Sequence, residues 1–366
     1  MDEYFPAPGV PRFEALVTPA WVRAVQTFED GGRRGPRPPS YRGDRLAIVE
    51  VSWATLDEAS AYLAGHLSGA VHLNTDDLED GYPTWKLRPL GELHQVAGAL
   101  GITPGTTVVV YSDRTIAAAR AWWVLMYAGV EDVRLMDGGF AAWNAAGFPG
   151  ETGVQAPVPA VFTAKPREAF LATTQYLRAR LDDGGAVVAD ARSHAEFAGE
   201  ASGYDYLDAR GRIPGAIHIG DADDGAHLYQ HADGSLRDPG EIAAIWQRSG
   251  LPSPAPSERG RKAAQPDRAT GTSERGREAA QYNAPAPSER GGEAAQPNPE
   301  VIFSCGSGWR SSLAFFYAWL LGYEHIRNYS DGWCGWSTHY VRDESAAGRT
   351  PGWRQAPTGN PVDRPD

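Results

Sequence analysis

A cysteine stands where an apolar strand pattern ends and a helical pattern begins. Cys305 follows the apolar run 301–303, and the loop 306–310 leads into a helix predicted at about 311–321. The two glycines of the loop allow successive N–H groups to point inward, and the helix adds the positive end of its dipole. Both effects favour the nucleophilic thiolate. A buried packing cysteine is the alternative, but it would not need two glycines and an arginine beside it.

Length and charge limit what this cysteine can do. The 366 residues suffice for two domains, and the net charge of −12 argues against nucleic acid as a partner. Two cysteines, Cys305 and Cys334, are too few for the disulfide framework of a secreted protein. The first residues lack the basic and apolar regions of a signal peptide, so a cytoplasmic location is expected. No run approaches the roughly 18 apolar residues of a membrane span, so no membrane partner is expected.

The chain contains the same pattern of strands and helices twice. Ser112 lies 31 positions before Trp143, and Cys305 lies 31 positions before Trp336. Upstream, a Gly-Ala-Val-His run in the first copy matches Gly-Ala-Ile-His in the second, ending at His218. Agreement in type and spacing over this distance is typical of a duplicated domain.

Each copy alternates short β-branched strands with helical stretches, which predicts an α/β fold with two tandem domains. Each domain is expected to have a parallel sheet with helices on both faces. We place the first repeat at 1–155 and the second at 156–355, with a tail at 356–366. Ligands bind beyond the carboxyl ends of such strands, where Cys305 and Ser112 both fall. Ser112 has no glycine-rich loop and no base beside it, so the first repeat is expected to be catalytically inactive.

The second repeat carries an insertion. His72 lies 40 positions before Ser112, whereas His218 lies 87 positions before Cys305. The extra residues are found at 252–299, a low-complexity segment with three Ser-Glu-Arg-Gly units and few large apolar residues. Such a composition buries too little surface to offset chain entropy, so a disordered surface loop is expected. An arm that folds on a partner is the alternative.

These residues resemble the rhodanese family of sulfurtransferases, and the resemblance covers nearly the whole chain outside the insert. The tandem arrangement, with an inactive first rhodanese-like domain, is similar to that of thiosulfate and 3-mercaptopyruvate sulfurtransferases. The Cys-Gly-Ser-Gly half of the loop is similar to the mercaptopyruvate type, whereas Arg310 is similar to the thiosulfate type. The runs 196–199 and 202–204 add a similarity to a bacterial multidomain subgroup.

The resemblance implies a ping-pong reaction with no metal and no cofactor. Cys305 would take sulfur from a small anionic donor, thiosulfate or 3-mercaptopyruvate, and the resulting persulfide would pass it to cyanide, a thiol or a protein. Loop N–H groups and Arg310 would hold the persulfide anion. The residues expected to bind substrate or persulfide are Gly306, Ser307, Gly308, Trp309, Arg310, Ser311, Arg192 and Arg212.

One position departs from the family pattern. Many members have an arginine that grips the donor six positions after the aspartate matching Asp190, and here that position is Glu196. A carboxylate repels an anionic donor, so an arginine elsewhere would have to compensate. Because Arg192 and Glu196 are four apart, we expect them to form a structural ion pair. A structural hydrogen bond is expected for His218 and for its counterpart His72.

Two other classes of function stay open. A cysteine phosphatase also holds a thiolate in an N–H cradle with an arginine, but its loop is C-x5-R, whereas Cys305 and Arg310 form C-x4-R. The shorter loop leaves less room for a tetrahedral phosphate. A non-enzymatic persulfide carrier that docks on a partner through the insert is the second alternative. Cys334 is expected to be a packing residue.

Overall fold

The computed structural model describes residues 3–82, 84–220, 227–254 and 299–338. Within these residues the chain forms two five-stranded parallel sheets and one small antiparallel pair of strands. The predicted insert lies mostly outside the described residues, as does the predicted tail. No helix in the described part of the chain is long and apolar enough to cross a bilayer.

The first repeat builds its sheet in the order β1-β6-β5-β2-β4, and β3 pairs with β7 beside it. Its strands are β1 Leu16–Val17, β2 Arg45–Ser52, β3 His66–Leu67, β4 Ala70–Asn74, β5 Thr106–Tyr111, β6 Asp132–Met136 and β7 Gly150–Glu151. Its helices are α1 Pro19–Asp30, α2 Ser60–Ala64, α3 Leu90–Ala99, α4 Thr115–Tyr127 and α5 Gly139–Ala145.

The second repeat builds its sheet in the order β8-β12-β11-β9-β10, which is the same order by position in the repeat. Its strands are β8 Leu171–Ala172, β9 Ala186–Asp190, β10 Ile217–His218, β11 Glu300–Ser304 and β12 Ile326–Tyr329. Its helices are α6 Thr174–Asp182, α7 His194–Ala198, α8 Pro239–Arg248, α9 Trp309–Leu320 and α10 Gly332–Thr338. The prediction of two tandem α/β domains is confirmed.

Apolar side chains on both faces of each sheet bury it between helices. Along β5, Val108 and Val110 join one hydrophobic cluster, whereas Val109 and Tyr111 join another on the opposite face. This alternation follows from the two-residue period of a strand. The first of these clusters continues into the second repeat, where α4 and α9 pack together and the Trp122 ring lies 4.8 Å from that of Phe316. The two repeats therefore share part of one core.

Candidate active site

Cys305 lies directly after β11, at the carboxyl edge of the second sheet, and is 1% exposed. The backbone N–H of Gly308 donates to the Cys305 sulfur over 3.1 Å, and the Ser311 hydroxyl lies 3.4 Å from that sulfur. Gly308 has a φ of +89°, in the left-handed region that favours glycine. Helix α9 begins at Trp309, two residues earlier than predicted. The loop therefore places two polar groups and a helix N-terminus at the thiol.

Asn328 is a site residue that the sequence analysis missed. Its side-chain oxygen accepts the Ser311 hydroxyl proton over 2.7 Å, and its amide nitrogen donates to Ser312 over 2.9 Å. A hydroxyl carries one proton, so while Ser311 donates to Asn328 its oxygen is free to accept from the Cys305 thiol. An asparagine inside the predicted strand 326–329 is the sequence signal that could have revealed it, and the structure buries that side chain fully.

The N-terminus of α10 holds the carbonyl groups of the cysteine loop. The N–H of Trp333 donates to the Cys305 carbonyl over 2.6 Å, and that of Cys334 donates to the Gly306 carbonyl over 2.9 Å. A Cβ on Gly332, whose φ is +56°, would lie 2.6 Å from the Cys305 carbonyl oxygen. Only glycine permits this close approach of two backbone segments.

Arg310 is bound to Glu196. Its Nη1 and Nη2 atoms lie 2.6 and 2.8 Å from the two carboxylate oxygens, and Nη2 also donates to the Tyr204 hydroxyl over 3.1 Å. Burial alone would raise the pKa of Glu196, but the hydrogen bonds and charge of Arg310 lower that pKa to about 2. The positive charge expected to hold a persulfide is therefore balanced by a carboxylate. The expectation that Glu196 pairs with Arg192 is wrong, because Arg192 pairs with Asp190.

Neither Arg192 nor Arg212 lines the cavity beside Cys305, so their binding of substrate or persulfide stays a prediction. Arg192 is 1% exposed, and its Nη2 lies 2.7 Å from Asp190 Oδ2. Arg212 donates to the Phe197 carbonyl over 3.3 Å and covers the Phe197 ring. Asp190 and Phe197, the partners named here, do not line that cavity.

The two repeat-related histidines have the structural bonds that were expected. His218 Nε2 lies 2.8 Å from the Arg192 carbonyl, and His72 Nε2 lies 3.0 Å from the Ala54 carbonyl. Both imidazoles thus bond to the backbone of the loop that follows a neighbouring strand.

A cavity of about 1200 Å³, the active-site cavity, opens beside Cys305. Its aromatic lining residues are Trp53, Trp85, Tyr204, Tyr206 and Trp309. Its charged lining residues are the carboxylates Asp113, Glu196 and Asp233 and the guanidinium groups Arg114 and Arg310. Since Glu196 and Arg310 neutralise each other, the lining is not strongly cationic. Arg114, which the sequence analysis did not single out, is the lining guanidinium that is not paired with Glu196.

The first repeat supplies part of the cavity wall, which the sequence analysis did not foresee. Trp85 lies 6.2 Å from the Trp309 ring, centroid to centroid, and its indole N–H donates to the Tyr206 hydroxyl over 2.9 Å. The loop 230–234 of the second repeat completes the wall, and Thr115 of the first repeat donates to its Gly234 carbonyl over 3.0 Å. The cavity is therefore built between the repeats.

Cys334 is buried, with 3% of its surface exposed, and its sulfur lies 3.9 Å from the Tyr206 hydroxyl. Burial raises the pKa of the Cys334 thiol to about 11. A thiol that stays protonated at neutral pH fits the packing role expected for this residue.

Comparison with known proteins identifies the family. A family model described as the rhodanese-like domain matches residues 43–146, 173–251 and 272–339. These ranges cover more than half of the chain and fall in both repeats, so the chain belongs to the rhodanese-like family. With two such units, it is a tandem-domain member.

Two curated relatives are named as thiosulfate sulfurtransferases. Thiosulfate sulfurtransferase YnjE of Escherichia coli is 29% identical over 337 residues, which are 90% of this chain and 64% of the relative. The chain thus spans less than two thirds of that relative. The putative thiosulfate sulfurtransferase SseB of Mycobacterium tuberculosis is 38% identical over 208 residues, covering 53% of this chain and 72% of the relative.

Two solved structures are similar over most of the chain. The crystal structure of YnjE has a TM-score of 0.71 at 27% identity and covers 98% of this chain and 70% of its own. The anaerobic ergothioneine biosynthesis enzyme of Chlorobium limicola, in complex with its natural substrate trimethyl histidine, has a TM-score of 0.69 at 29% identity. That match covers 90% of this chain and 69% of the enzyme.

Proposed function

We propose that the chain is a sulfurtransferase in which Cys305 carries sulfane sulfur as a persulfide. The donor is thiosulfate or a related compound such as 3-mercaptopyruvate, and the acceptor is cyanide, a thiol or a protein. The observation that carries the proposal is that the Cys305 sulfur accepts a hydrogen bond from a backbone N–H and lies beside an open cavity. The names of the relatives support the same chemistry.

The reaction follows from the position of the sulfur. The Cys305 thiolate attacks the outer sulfur of thiosulfate, the sulfur–sulfur bond of the donor breaks, and sulfite leaves with the electron pair. The new persulfide anion accepts from the Gly308 N–H and from Ser311, whose hydroxyl turns from Asn328 to the negative charge. An acceptor nucleophile then attacks the outer sulfur and restores the Cys305 thiolate.

The first repeat provides an internal comparison. Ser112 lies directly after β5, the position equivalent to that of Cys305, and its hydroxyl accepts the N–H of Arg114 over 3.0 Å. Its oxygen thus bonds to its own turn, and its loop has no glycine. We propose that this repeat, at 1–155, is catalytically inactive and that the repeat at 156–355 holds the reaction.

Turnover assays on two variants test the proposal. Cys305→Ser should abolish transfer from thiosulfate or 3-mercaptopyruvate to cyanide, whereas Ser112→Ala should keep turnover within about three-fold, because Ser112 contacts no reacting atom. Full turnover in Cys305→Ser would overturn the assignment. If Cys305 received its persulfide sulfur only from a protein partner, the result would favour the non-enzymatic carrier over the enzyme. Hydrolysis of a phosphate ester would favour the phosphatase.

A second candidate concerns the acceptor, and the aromatic lining of the cavity favours it. Faces of Trp53, Trp85 and Trp309 can hold a trimethylammonium group by cation–π attraction, and Asp113 and Asp233 add negative charge. The structural neighbour from Chlorobium limicola is in complex with trimethyl histidine, its natural substrate, which carries such a group. We propose a trimethylammonium-bearing imidazole as the alternative acceptor. Incubation of the persulfide form with trimethyl histidine, followed by mass spectrometry of the small molecules, tests it, and recovery of the unmodified compound alone would exclude it.

A further inference from the structure

Glu79 and Arg120 of the first repeat form an ion pair that is closed to solvent. The Arg120 Nη2 and Nε atoms lie 2.8 and 3.2 Å from Glu79 Oε2, and both side chains are 0% exposed. Neither residue lines the active-site cavity. Burying two charges is costly even when they pair, so this ion pair is weak evidence for a gain in stability.

The pair makes three contacts with the second repeat, all at the cysteine loop or directly after the neighbouring strand β12. Arg120 donates to the Ser330 hydroxyl over 2.9 Å and to the Gly308 carbonyl over 3.4 Å. The indole N–H of Trp309 donates to Glu79 Oε1 over 2.5 Å. A single buried unit of the first repeat thus holds both Gly308 and Trp309.

Gly308 is the residue through which this contact reaches the sulfur. Its N–H donates to Cys305, and a Cβ added to it would lie 2.7 Å from Arg120 Nη1 and 2.5 Å from the Ser330 carbonyl. The guanidinium therefore packs directly against the backbone that bonds to the thiol. A shift of Arg120 would remove a hydrogen bond to the Gly308 carbonyl, and we expect the donor N–H of Gly308 to move with it.

We propose that Glu79 and Arg120 are positioning residues for Cys305, through which the inactive first repeat holds the cysteine loop in its reactive geometry. The inference rests on the proposed function, because it assigns these residues to the same reaction. Glu79 orients the guanidinium by its two bonds and fixes the Trp309 ring at the cavity wall. Arg120 then fixes Gly308. The second repeat would accordingly hold the nucleophile but depend on the first repeat for its alignment.

The variants Arg120→Lys and Glu79→Gln test this, with Arg134→Lys as the matched control. Arg134 is a buried arginine of the first repeat that pairs with the partly exposed Asp132, and it bonds to the Ser40 carbonyl rather than to the cysteine loop. We expect kcat for sulfur transfer to fall about ten-fold or more in the two test variants, with KM within about three-fold. Arg134→Lys should lower Tm without lowering kcat measured well below Tm. Equal kcat losses in all three variants, or no loss in any, would overturn the proposal.

Hydrogen exchange gives a readout that needs no sulfur donor. Amide protection in the segment 305–312 should fall in Arg120→Lys and Glu79→Gln and stay unchanged in Arg134→Lys. If Arg120→Lys and Glu79→Gln fail to fold, Ser330→Ala is the second test. It removes one acceptor of Arg120 and should lower both kcat and the amide protection of 305–312. Unchanged values in Ser330→Ala would contradict the proposal. A wild type that transfers no sulfur would refute the proposed function, and exchange alone would then decide the positioning role.

Discussion

At the scale of single residues, the charge beside the nucleophile is governed by one pair, Glu196 and Arg310. Glu196 stands three positions after Ser193 and forms a capping box with it at the start of α7. Its carboxylate is thereby turned toward the cavity, where Arg310 of α9 meets it. The Ser-x-x-Glu pattern could have revealed the capping role. The partner could not be read from the sequence, because it lies 114 positions away.

Removal of the Glu196 charge should improve binding of an anionic donor. Glu196→Gln keeps the size of the side chain and leaves the Arg310 charge unbalanced. KM for thiosulfate should fall by up to about ten-fold, equivalent to about 1.4 kcal/mol, with kcat little changed. Glu92→Gln, a change at an exposed carboxylate on α3, controls for net charge and should leave KM unaltered. An unchanged KM in Glu196→Gln would show that Arg310 does not meet the donor.

At the scale of elements, the same strand-to-helix junction occurs in both repeats with different chemistry. Gly139 is the first residue of α5, and Gly332 is the first residue of α10. Their φ values are +58° and +56°. A Cβ on Gly139 would lie 2.6 Å from the Ser112 carbonyl, just as one on Gly332 would approach Cys305. The duplicated geometry shows that the loop shape belongs to the fold. The thiol and the glycines around it belong to the second repeat.

This equivalence provides a matched pair of variants. Gly139→Ala and Gly332→Ala should each destabilise the protein by about 1–3 kcal/mol, since both force a Cβ into a left-handed residue against a carbonyl. Thermal unfolding measures that cost. Only Gly332→Ala should slow sulfur transfer, because it alone displaces the Cys305 backbone. Equal loss of activity in the two folded variants would mean that stability, and not loop position, limits the reaction.

At the scale of the whole molecule, the fold and the nucleophile could be predicted because the chain repeats itself. The 31-residue spacing to Trp143 and Trp336 fixed the equivalence of Ser112 and Cys305 before any contact was known. The cavity could not be predicted in this way. Arg120 of α4 reaches Gly308, and Trp85 of the loop before α3 reaches the Trp309 ring, and no spacing within one repeat encodes these contacts.

The insert should be dispensable for folding. Pro252 and Pro299, which flank the undescribed residues 255–298, line one small cavity, so the ends of the segment lie close together. A short Gly/Ser linker in place of 255–298 should preserve Tm and turnover with small donors, because closure entropy varies slowly with loop length. Loss of folding would show that the insert is structural. Loss of transfer only to a protein acceptor would assign it to partner binding.

The most direct test of the account is the mass of the protein after exposure to a sulfur donor without an acceptor. Incubation with thiosulfate or 3-mercaptopyruvate should add one sulfur atom, and peptide mapping should place it on Cys305 and not on Cys334. Addition of cyanide should remove it, and Cys305→Ser should gain none. Sulfur found on Cys334, or retained in Cys305→Ser, would contradict the central claim that Cys305 carries the transferred sulfur.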